Sequence, residues 1–181
     1  AKDYLGFGAG VRNLPSSFPA HLGEHSTDEA AAFTRQINQR WGINKFTAIP
    51  DQKISLTSHR SYDVGGWKIG NITNLNWSTE FDYSETVNNN YIAYDVKNDV
   101  SRPRFEYNDI RYKNTSKLGA LFNWSFQRDG SKYELRNFFS QRGVSALTQR
   151  EGMNYYSDKD IRKWESLYTG RTTYSGQISG V

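Results

Sequence analysis

The sequence predicts an all-β protein whose antiparallel strands form part of a transmembrane β-barrel, with one short helix in a loop. First, residues 66–84 alternate apolar or aromatic side chains with polar ones, over far more residues than the usual strand of about 5–6. Second, tight turns are predicted to alternate with long polar connections, an asymmetry typical of outer-membrane barrels. Third, aromatic residues make up 15% of the 181 residues and carry most of the hydrophobic surface, which suits a wall with one apolar and one wet face.

Residues 1–45 are predicted to form a loop that carries a helix over about 27–41. Residues 1–25 are rich in Gly, Pro and Ser, and two interpretations stay open for them: a loop that faces a ligand, or a loop that packs against its own barrel. Ser26 and Glu29 have the spacing of a capping box, which predicts the start of the helix.

An apolar stripe at i, i+4 and i+8 is predicted along this helix, and we expect it to dock on the rest of the protein. The stripe consists of Phe33, Ile37 and Trp41. Gly42 comes directly after it and predicts the end of the helix.

Residues 46–181 are predicted to form the antiparallel barrel strands. Short turns are predicted at 62–66 and 128–131, and long loops at about 85–106 and 143–160, because those longer stretches are polar. A second alternating stretch places an apolar set on a single face, namely Leu118, Ala120, Phe122, Trp124 and Phe126.

The first long strand contains one irregularity, since Asn71 and Thr73 fall on its apolar face and Ile72 falls on its polar face. This predicts either a β-bulge that shifts the register or a strand that is not wholly in lipid. A set of aromatic residues is predicted to form girdles at the membrane interfaces, or else the core of a soluble sheet: Trp67, Phe81, Tyr83, Trp124 and Phe126.

No constellation of residues predicts a catalytic site, a metal site or a cofactor, and the ligand-binding residues are not identified. His21, Glu24 and His25 match the H-x-x-E-H zinc pattern, but Gly23 interrupts the helix that this pattern requires, so exposed loop histidines are predicted. His59 lies in a predicted strand without an obvious companion. Three glycines have G-x-G-x-G spacing but lack the strand–helix unit of a phosphate loop: Gly6, Gly8 and Gly10.

Composition and charge narrow the function classes. The net charge is +4 with both signs scattered, which indicates a solvated or lumen-facing surface rather than a nucleic-acid site. The chain has no cysteine, which excludes disulfides and thiol nucleophiles, and no run of about 18 apolar residues, which excludes a spanning helix. It opens with Ala1 and is expected to be a mature protein or a piece of a larger one.

Four N-x-S/T sequons are interpreted as a coincidence of an Asn-rich wall: Asn71, Asn76, Asn114 and Asn123.

Three stretches resemble the barrel of Bacteroidetes-type TonB-dependent outer-membrane receptors: YLGFGAGVRNLPSSFP, AIPDQKISLTSH, and the long block from ELRNFF to RTTYSGQISG. The resemblance implies a large barrel of about 22 strands around a plug, of which this chain would supply about five to eight early strands. It implies that residues 1–45 are an extracellular-type loop, and it implies uptake of a bulky nutrient across the outer membrane of a Gram-negative bacterium. The implied partners are outer-membrane lipid, TonB through a segment absent from this chain, an unidentified solute and a candidate surface lipoprotein, but no nucleic acid.

Two other functions stay open beside this non-enzymatic one. A soluble all-β carbohydrate-binding module would use exposed Trp and Tyr as stacking platforms, and it predicts strand faces buried against a second sheet. An envelope hydrolase would need two carboxyl groups that converge in a cleft, although they can lie far apart in the sequence.

Overall fold

A computed structural model describes residues 3–37 and 45–181 of the chain. The first range holds three short 3-10 turns, Asp3–Leu5, Gly8–Val11 and Leu22–Glu24, followed by helix α1, Thr27–Arg35. The second range holds five strands, β1 Gln52–Val64, β2 Trp67–Asp95, β3 Val100–Arg128, β4 Ser131–Asn154 and β5 Lys159–Gly180. Across these two ranges no helix is long and apolar enough to cross a membrane.

The five strands form one antiparallel sheet in the order β1-β2-β3-β4-β5, and the sheet does not close on itself. The all-β, antiparallel fold class is therefore confirmed. Because paired residues of neighbouring strands share a face, the ladder assigns every side chain to one of two sides. We call the side that carries Trp67, Leu75 and Phe122 the apolar face, and the side that carries Lys68, Asn74 and Asn123 the polar face.

Two-residue turns join β1 to β2 at Gly65–Gly66 and β3 to β4 at Asp129–Gly130, inside the ranges predicted for short turns. The φ angles of these four residues are 59°, 79°, 49° and 83°. Positive φ at both central positions is the geometry of the type I′ turn, whose twist matches that of the flanking strands. These two turns lie at the same end of the sheet, which we call the near end.

The long loops predicted at 85–106 and 143–160 are wrong, because both stretches are mostly strand. β2 and β3 continue to a short turn at 96–99, and β4 and β5 continue to one at 155–158, at what we call the far end. Pro103 is accommodated because the register shifts between Asn90 and Ala93, opposite the proline.

The β-bulge interpretation of Asn71 and Thr73 is also wrong, because the register of β2 runs unbroken through both residues. They lie on the apolar face and satisfy their own polar atoms there. The Asn71 Nδ2 donates to the carbonyl oxygen of Asn123 at 3.0 Å, and the Thr73 hydroxyl donates to Asn71 Oδ1 at 3.1 Å. Polar groups paired in this way cost far less away from water than unpaired ones.

Helix α1 begins at the predicted capping box. The Ser26 hydroxyl accepts from the backbone N–H of Glu29, and the Glu29 carboxylate accepts from the backbone N–H of Ser26. The helix ends at Arg35, earlier than predicted, where Gln36 and Ile37 donate in the tighter i to i−3 pattern. Phe33 packs against Phe18 and His25, whereas Trp41 and Gly42 lie outside the described residues.

The sheet is a single layer and buries very little apolar surface. Among the described residues, the buried hydrophobic side chains are Tyr107 and Ala146 alone. A water-soluble domain of this size normally has a core many times larger. Within residues 45–181 no second sheet covers the apolar face.

Candidate functional site

The near half of the apolar face carries a band of hydrophobic side chains, which polar residues interrupt at Ser58, Arg60, Asn71, Thr73 and Asn137. Leu75, Phe122 and Ile178 are 48%, 45% and 82% exposed, respectively. The band extends over all five strands and comprises Ile54, Leu56, Ile69, Leu75, Leu118, Ala120, Phe122, Leu135, Phe139 and Ile178. The opposite face at the same level is mainly polar and charged, with Ile72, Leu121 and Phe138 as its apolar members.

Aromatic residues border this band at both ends. At the near end the rings of Trp67 and Tyr133 lie 6.4 Å apart, and Trp124 stacks on Phe126 at 6.2 Å. Beyond the band, towards the far end, the residues Phe81 and Tyr83 follow Trp77 on the same face. The five aromatic residues singled out in the sequence thus fall into two groups, separated along the strands by the hydrophobic band. Two such rows are the arrangement that barrels use at the two membrane interfaces.

A segment of the chain itself, residues 3–12, covers the apolar face at the far edge of the band, which includes Phe139. We call it the docked segment. The Trp77 Nε1 donates to the carbonyl oxygen of Tyr4 at 2.7 Å, and the ring of Phe7 stacks on Phe139 with centroids 6.5 Å apart. Of the two interpretations of this region, packing against its own sheet is therefore correct for these residues. At this level the apolar face meets the protein's own chain.

Two glycines permit the close approach of the docked segment to β4. A Cβ built on Gly143 would lie 2.6 Å from the Cα of Gly6, and one on Gly6 would lie 2.8 Å from the backbone nitrogen of Gly143. The Gln141 Nε2 donates to the carbonyl oxygen of Gly6 at 2.5 Å, beside these glycines. Gly6 thus permits backbone contact with β4, Gly8 leaves room for the side chains of Asp3, Arg12 and Tyr168, and Gly10 lies in open space.

An ion pair and a cation–π contact hold the docked segment together. The Arg12 guanidinium donates to the Asp3 carboxylate at 2.8 Å and lies 4.3 Å from the centroid of the Tyr168 ring. The hydroxyl of Tyr168 accepts from the backbone N–H of Gly8 at 2.8 Å. The hydrogen bond from Arg12 holds the pKa of Asp3 below its usual value, against a smaller effect of burial.

A second polar cluster lies on the polar face towards the far end. Asp109 accepts two hydrogen bonds of 2.7 Å from the Arg150 guanidinium, whose carbon lies 5.0 Å from the centroid of the Tyr107 ring. Asn154 donates to the Tyr107 hydroxyl at 3.0 Å. The hydrogen bonds from Arg150 lower the pKa of Asp109, although burial opposes them. The cluster is a satisfied network that ties β3 to β4.

The remaining sequence candidates are not brought together. His21, Glu24 and His25 span a 3-10 turn rather than a helix, with His25 already in extended backbone, and the described residues contain no group of three metal-ligating side chains. His59 is exposed on β1. The four sequon asparagines all lie in β2 and β3.

Three carboxylates on the polar face lie close to cations. Asp82 lies 2.6 Å from Lys113, and Glu80 lies 3.0 Å from Lys117. Glu134 lies between Lys132 and Arg136.

No protein-family model matches this chain, and no curated protein matches it either.

Proposed function

We propose that this chain forms part of the wall of an outer-membrane β-barrel, a TonB-dependent receptor that takes up a bulky nutrient. The apolar face then meets lipid in the near half, and the polar face lines an aqueous lumen. The observation that carries the proposal is the exposed hydrophobic band between two aromatic rows on a sheet with almost no core. From Trp67 to Trp77, β2 supplies about the 9–11 residues that a tilted strand needs to cross the hydrocarbon.

Electrostatic cost decides which face meets lipid. A lipid-facing Lys or Arg costs about 2–4 kcal/mol near the bilayer midplane. On the polar face the near half contains several such residues: Lys68, Lys117, Arg136, Arg142 and Arg171. The apolar face carries Arg60, four residues before the end of β1, where a long side chain reaches the headgroups. Turning the polar face towards lipid would expose five cations in place of Arg60, with the largest cost at Arg136, which lies at the level of the hydrophobic band.

The absence of a second layer favours this proposal over a soluble carbohydrate-binding module. That alternative requires strand faces buried against another sheet, whereas residues 45–181 form one sheet. Its hydrophobic side chains would be left in water across the whole near half. Lipid removes them from water without any further protein.

The proposal also requires more strands than the chain supplies. β1 and β5 are open edges, and each unpaired backbone group in hydrocarbon costs several kcal/mol. We therefore expect additional strands to pair with both edges and to complete a barrel of about 22 strands. TonB, a plug and a surface lipoprotein belong to the same proposal as partners.

Cysteine scanning of β3 tests the proposal, because the chain has no cysteine of its own. Single cysteines replace residues 118–126 one at a time in the protein embedded in outer membranes. We expect a membrane-impermeant maleimide to label positions 119, 121, 123 and 125, and a lipid-soluble maleimide to label positions 118, 120, 122, 124 and 126. Uniform labelling by the impermeant reagent, together with recovery of the protein in the soluble fraction, would reject the membrane role.

A further inference from the structure

The far half of β2 has a free side that β1 does not cover. β1 pairs with β2 only as far as Thr79, which lies opposite Gln52, the first residue of β1. From Phe81 to Asn89 the ladder with β3 is unbroken, but in the part of the chain that the structure describes no strand pairs with the other side of this stretch. We call residues 81–89 the open edge. It extends for roughly 27 Å along the strand.

The backbone direction at the open edge shows which of its groups face outwards. The Phe81 N–H points away from β3, because it donates to the Asp51 carboxylate at 2.9 Å. The carbonyl oxygen of Glu80 points towards β3, where it accepts from the Asn114 amide at 3.3 Å. This direction alternates along a strand, so every second residue directs its N–H and C=O outwards. These residues are Phe81, Tyr83, Glu85, Val87 and Asn89.

Completion of the barrel would leave the open edge uncovered. A strand added beside β1 would lie about 9.6 Å from β2, which is twice the spacing of neighbouring strands. Residues 45–51, which precede β1, form no ladder with the open edge, although the ring of Phe46 lies 6.0 Å from that of Phe81. The open edge is therefore available to a strand that is not part of the barrel wall.

The side chains of β2 indicate the charge of the strand that fits. Residues 69–95 contain no Lys, Arg or Pro, the residues with which proteins commonly protect an edge. At and beside the open edge β2 carries Glu80, Asp82 and Glu85 instead. The cations that lie level with these carboxylates are one strand further inward, on β3, and are Arg111, Lys113 and Lys117. A strand beside β2 therefore meets its acidic side chains first.

The two sides of the open edge differ in polarity as well. Asp82 lies on the polar face, whereas Tyr83 and Val87 lie on the apolar face and are 57% and 69% exposed. A matching strand therefore has cations on one face and apolar side chains on the other. Opposite charges directly across a strand pair stabilise a sheet, and like charges destabilise it. A second copy of the same acidic edge is accordingly a poorer match than a basic strand.

We propose that the open edge binds an extended basic peptide segment of another protein, which adds to the sheet as a further strand. Its cations would lie opposite Asp82, and its apolar side chains would lie opposite Tyr83 and Val87. Main-chain hydrogen bonds supply the affinity in this mode of binding, and alternate side chains supply the specificity. The inference goes beyond the proposed function and does not depend on lipid, because the open edge lies beyond the hydrophobic band.

Three labelled peptides test the site on the detergent-purified protein, with fluorescence anisotropy as the measure of binding. The first is a blocked peptide of about nine residues that alternates Lys and Val. The second is the same peptide with its central backbone nitrogens methylated, which removes donors on both of its edges. The third has Glu in place of Lys. We expect the first peptide to bind about tenfold or more tightly than either of the others.

Variants of the protein place this binding at the open edge. Val87→Pro removes one outward N–H and spares the ladder with β3, so we expect about fivefold weaker binding of the first peptide. Val87→Thr keeps the N–H and the branched shape and should bind as the wild-type protein does. Asp82→Asn should weaken binding too. Glu165→Gln on β5 is its matched control, because the two carboxylates are 55% and 60% exposed and each lies beside a lysine.

Each outcome supports or overturns the proposal. Equal binding of the methylated peptide would overturn docking through backbone hydrogen bonds. Equal binding of the Glu peptide, or an equal loss in Glu165→Gln, would overturn a basic partner at this edge. Disulfide cross-linking between copies of Val87→Cys without peptide would assign the edge to a second copy instead. If Val87→Pro misfolds, the three peptides still decide on the wild-type protein. The cysteine labelling of β3 tests the membrane role separately.

Discussion

Gly6 and Gly143 act at the scale of single atoms, because their backbones touch where the docked segment meets β4. Gly143→Ala would place a methyl group within 2.5–2.6 Å of the Tyr168 hydroxyl and the Gly6 Cα. We expect the docked segment to be loosened by about 1–3 kcal/mol, the usual cost of overpacking. Amide hydrogen exchange at Gly8, whose N–H donates to Tyr168, measures the effect.

Gly10→Ala is the control for that experiment, because nothing lies within 4 Å of the added Cβ. It should leave the exchange rate of the Gly8 amide unchanged. Equal protection of Gly8 in Gly143→Ala and in the wild-type protein would show that the docked segment does not depend on this contact.

Asp109 is expected to make the stability of the β3–β4 pairing at the far end depend on pH. Its folded-state pKa is lowered chiefly by hydrogen bonds from Arg150, so its contribution is fully present above the unfolded pKa of about 4 and is lost as the pH falls through the folded pKa. We expect Asp109→Asn to lower the free energy of local opening by about 1–3 kcal/mol at pH 7. The variant should also lack the further loss that the wild-type protein shows below pH 4.

Hydrogen exchange of the β3 and β4 amides around Tyr107, corrected for the intrinsic effect of pH, provides the measurement. Asp129→Asn is the matched control, since the carboxylate of Asp129 is 86% exposed beside Arg128 and contributes little. If Asp109→Asn lost local stability below pH 4 as the wild-type protein does, the pH dependence would belong to another group.

At the scale of elements, the near turns were predictable and the far turns were not. Gly65–Gly66 and Asp129–Gly130 are strong local signals, because few residues other than glycine adopt positive φ easily. The far turns instead use a side-chain oxygen of Asp95 or Asn154, which accepts from backbone N–H groups two and three residues later. In a stretch that is already rich in Asn and Asp, this signal does not stand out.

The candidate site shows the same division between local and distant information. Alternation along one strand predicted the hydrophobic band. The docked segment depends on contacts such as that between Gly6 and Gln141, which are separated by 135 positions. The set of polar side chains that lie level with one another on all five strands depends on the register of four successive strand pairs, and no single stretch of sequence contains that register.

The far turns carry a prediction of their own at Asp158, which ends the turn with φ of 50°. Left-handed backbone costs a residue with a Cβ about 1–2 kcal/mol, and a β-branched side chain suffers most. Asp158→Val should therefore destabilise the β4–β5 hairpin by about that amount, whereas Asp158→Gly should be neutral or stabilising. Exchange rates of the amides in 150–163 distinguish the two variants. Equal effects of Val and Gly would show that the side chain of Asp158, rather than its backbone, matters.

At the scale of the whole molecule, the proposal places one face of the single layer in lipid and the other in water. An arginine should therefore cost much more on the apolar face than on the polar face. Leu121 and Phe122 are consecutive and apolar, and both lie at the level of the middle of the hydrophobic band, yet the ladder puts Leu121 on the polar face and Phe122 on the apolar face. Phe122→Arg should cost about 2–4 kcal/mol and reduce assembly in the outer membrane, because the charge would face lipid. Leu121→Arg should assemble normally, because its side chain would extend into a water-filled lumen. Gel electrophoresis of unheated and heated samples measures the fraction of folded protein, because a folded barrel changes its migration when it is heated. The reverse ranking, with Leu121→Arg the more damaging, would require the polar face to meet the bilayer, and equal tolerance of both substitutions would place neither face in lipid.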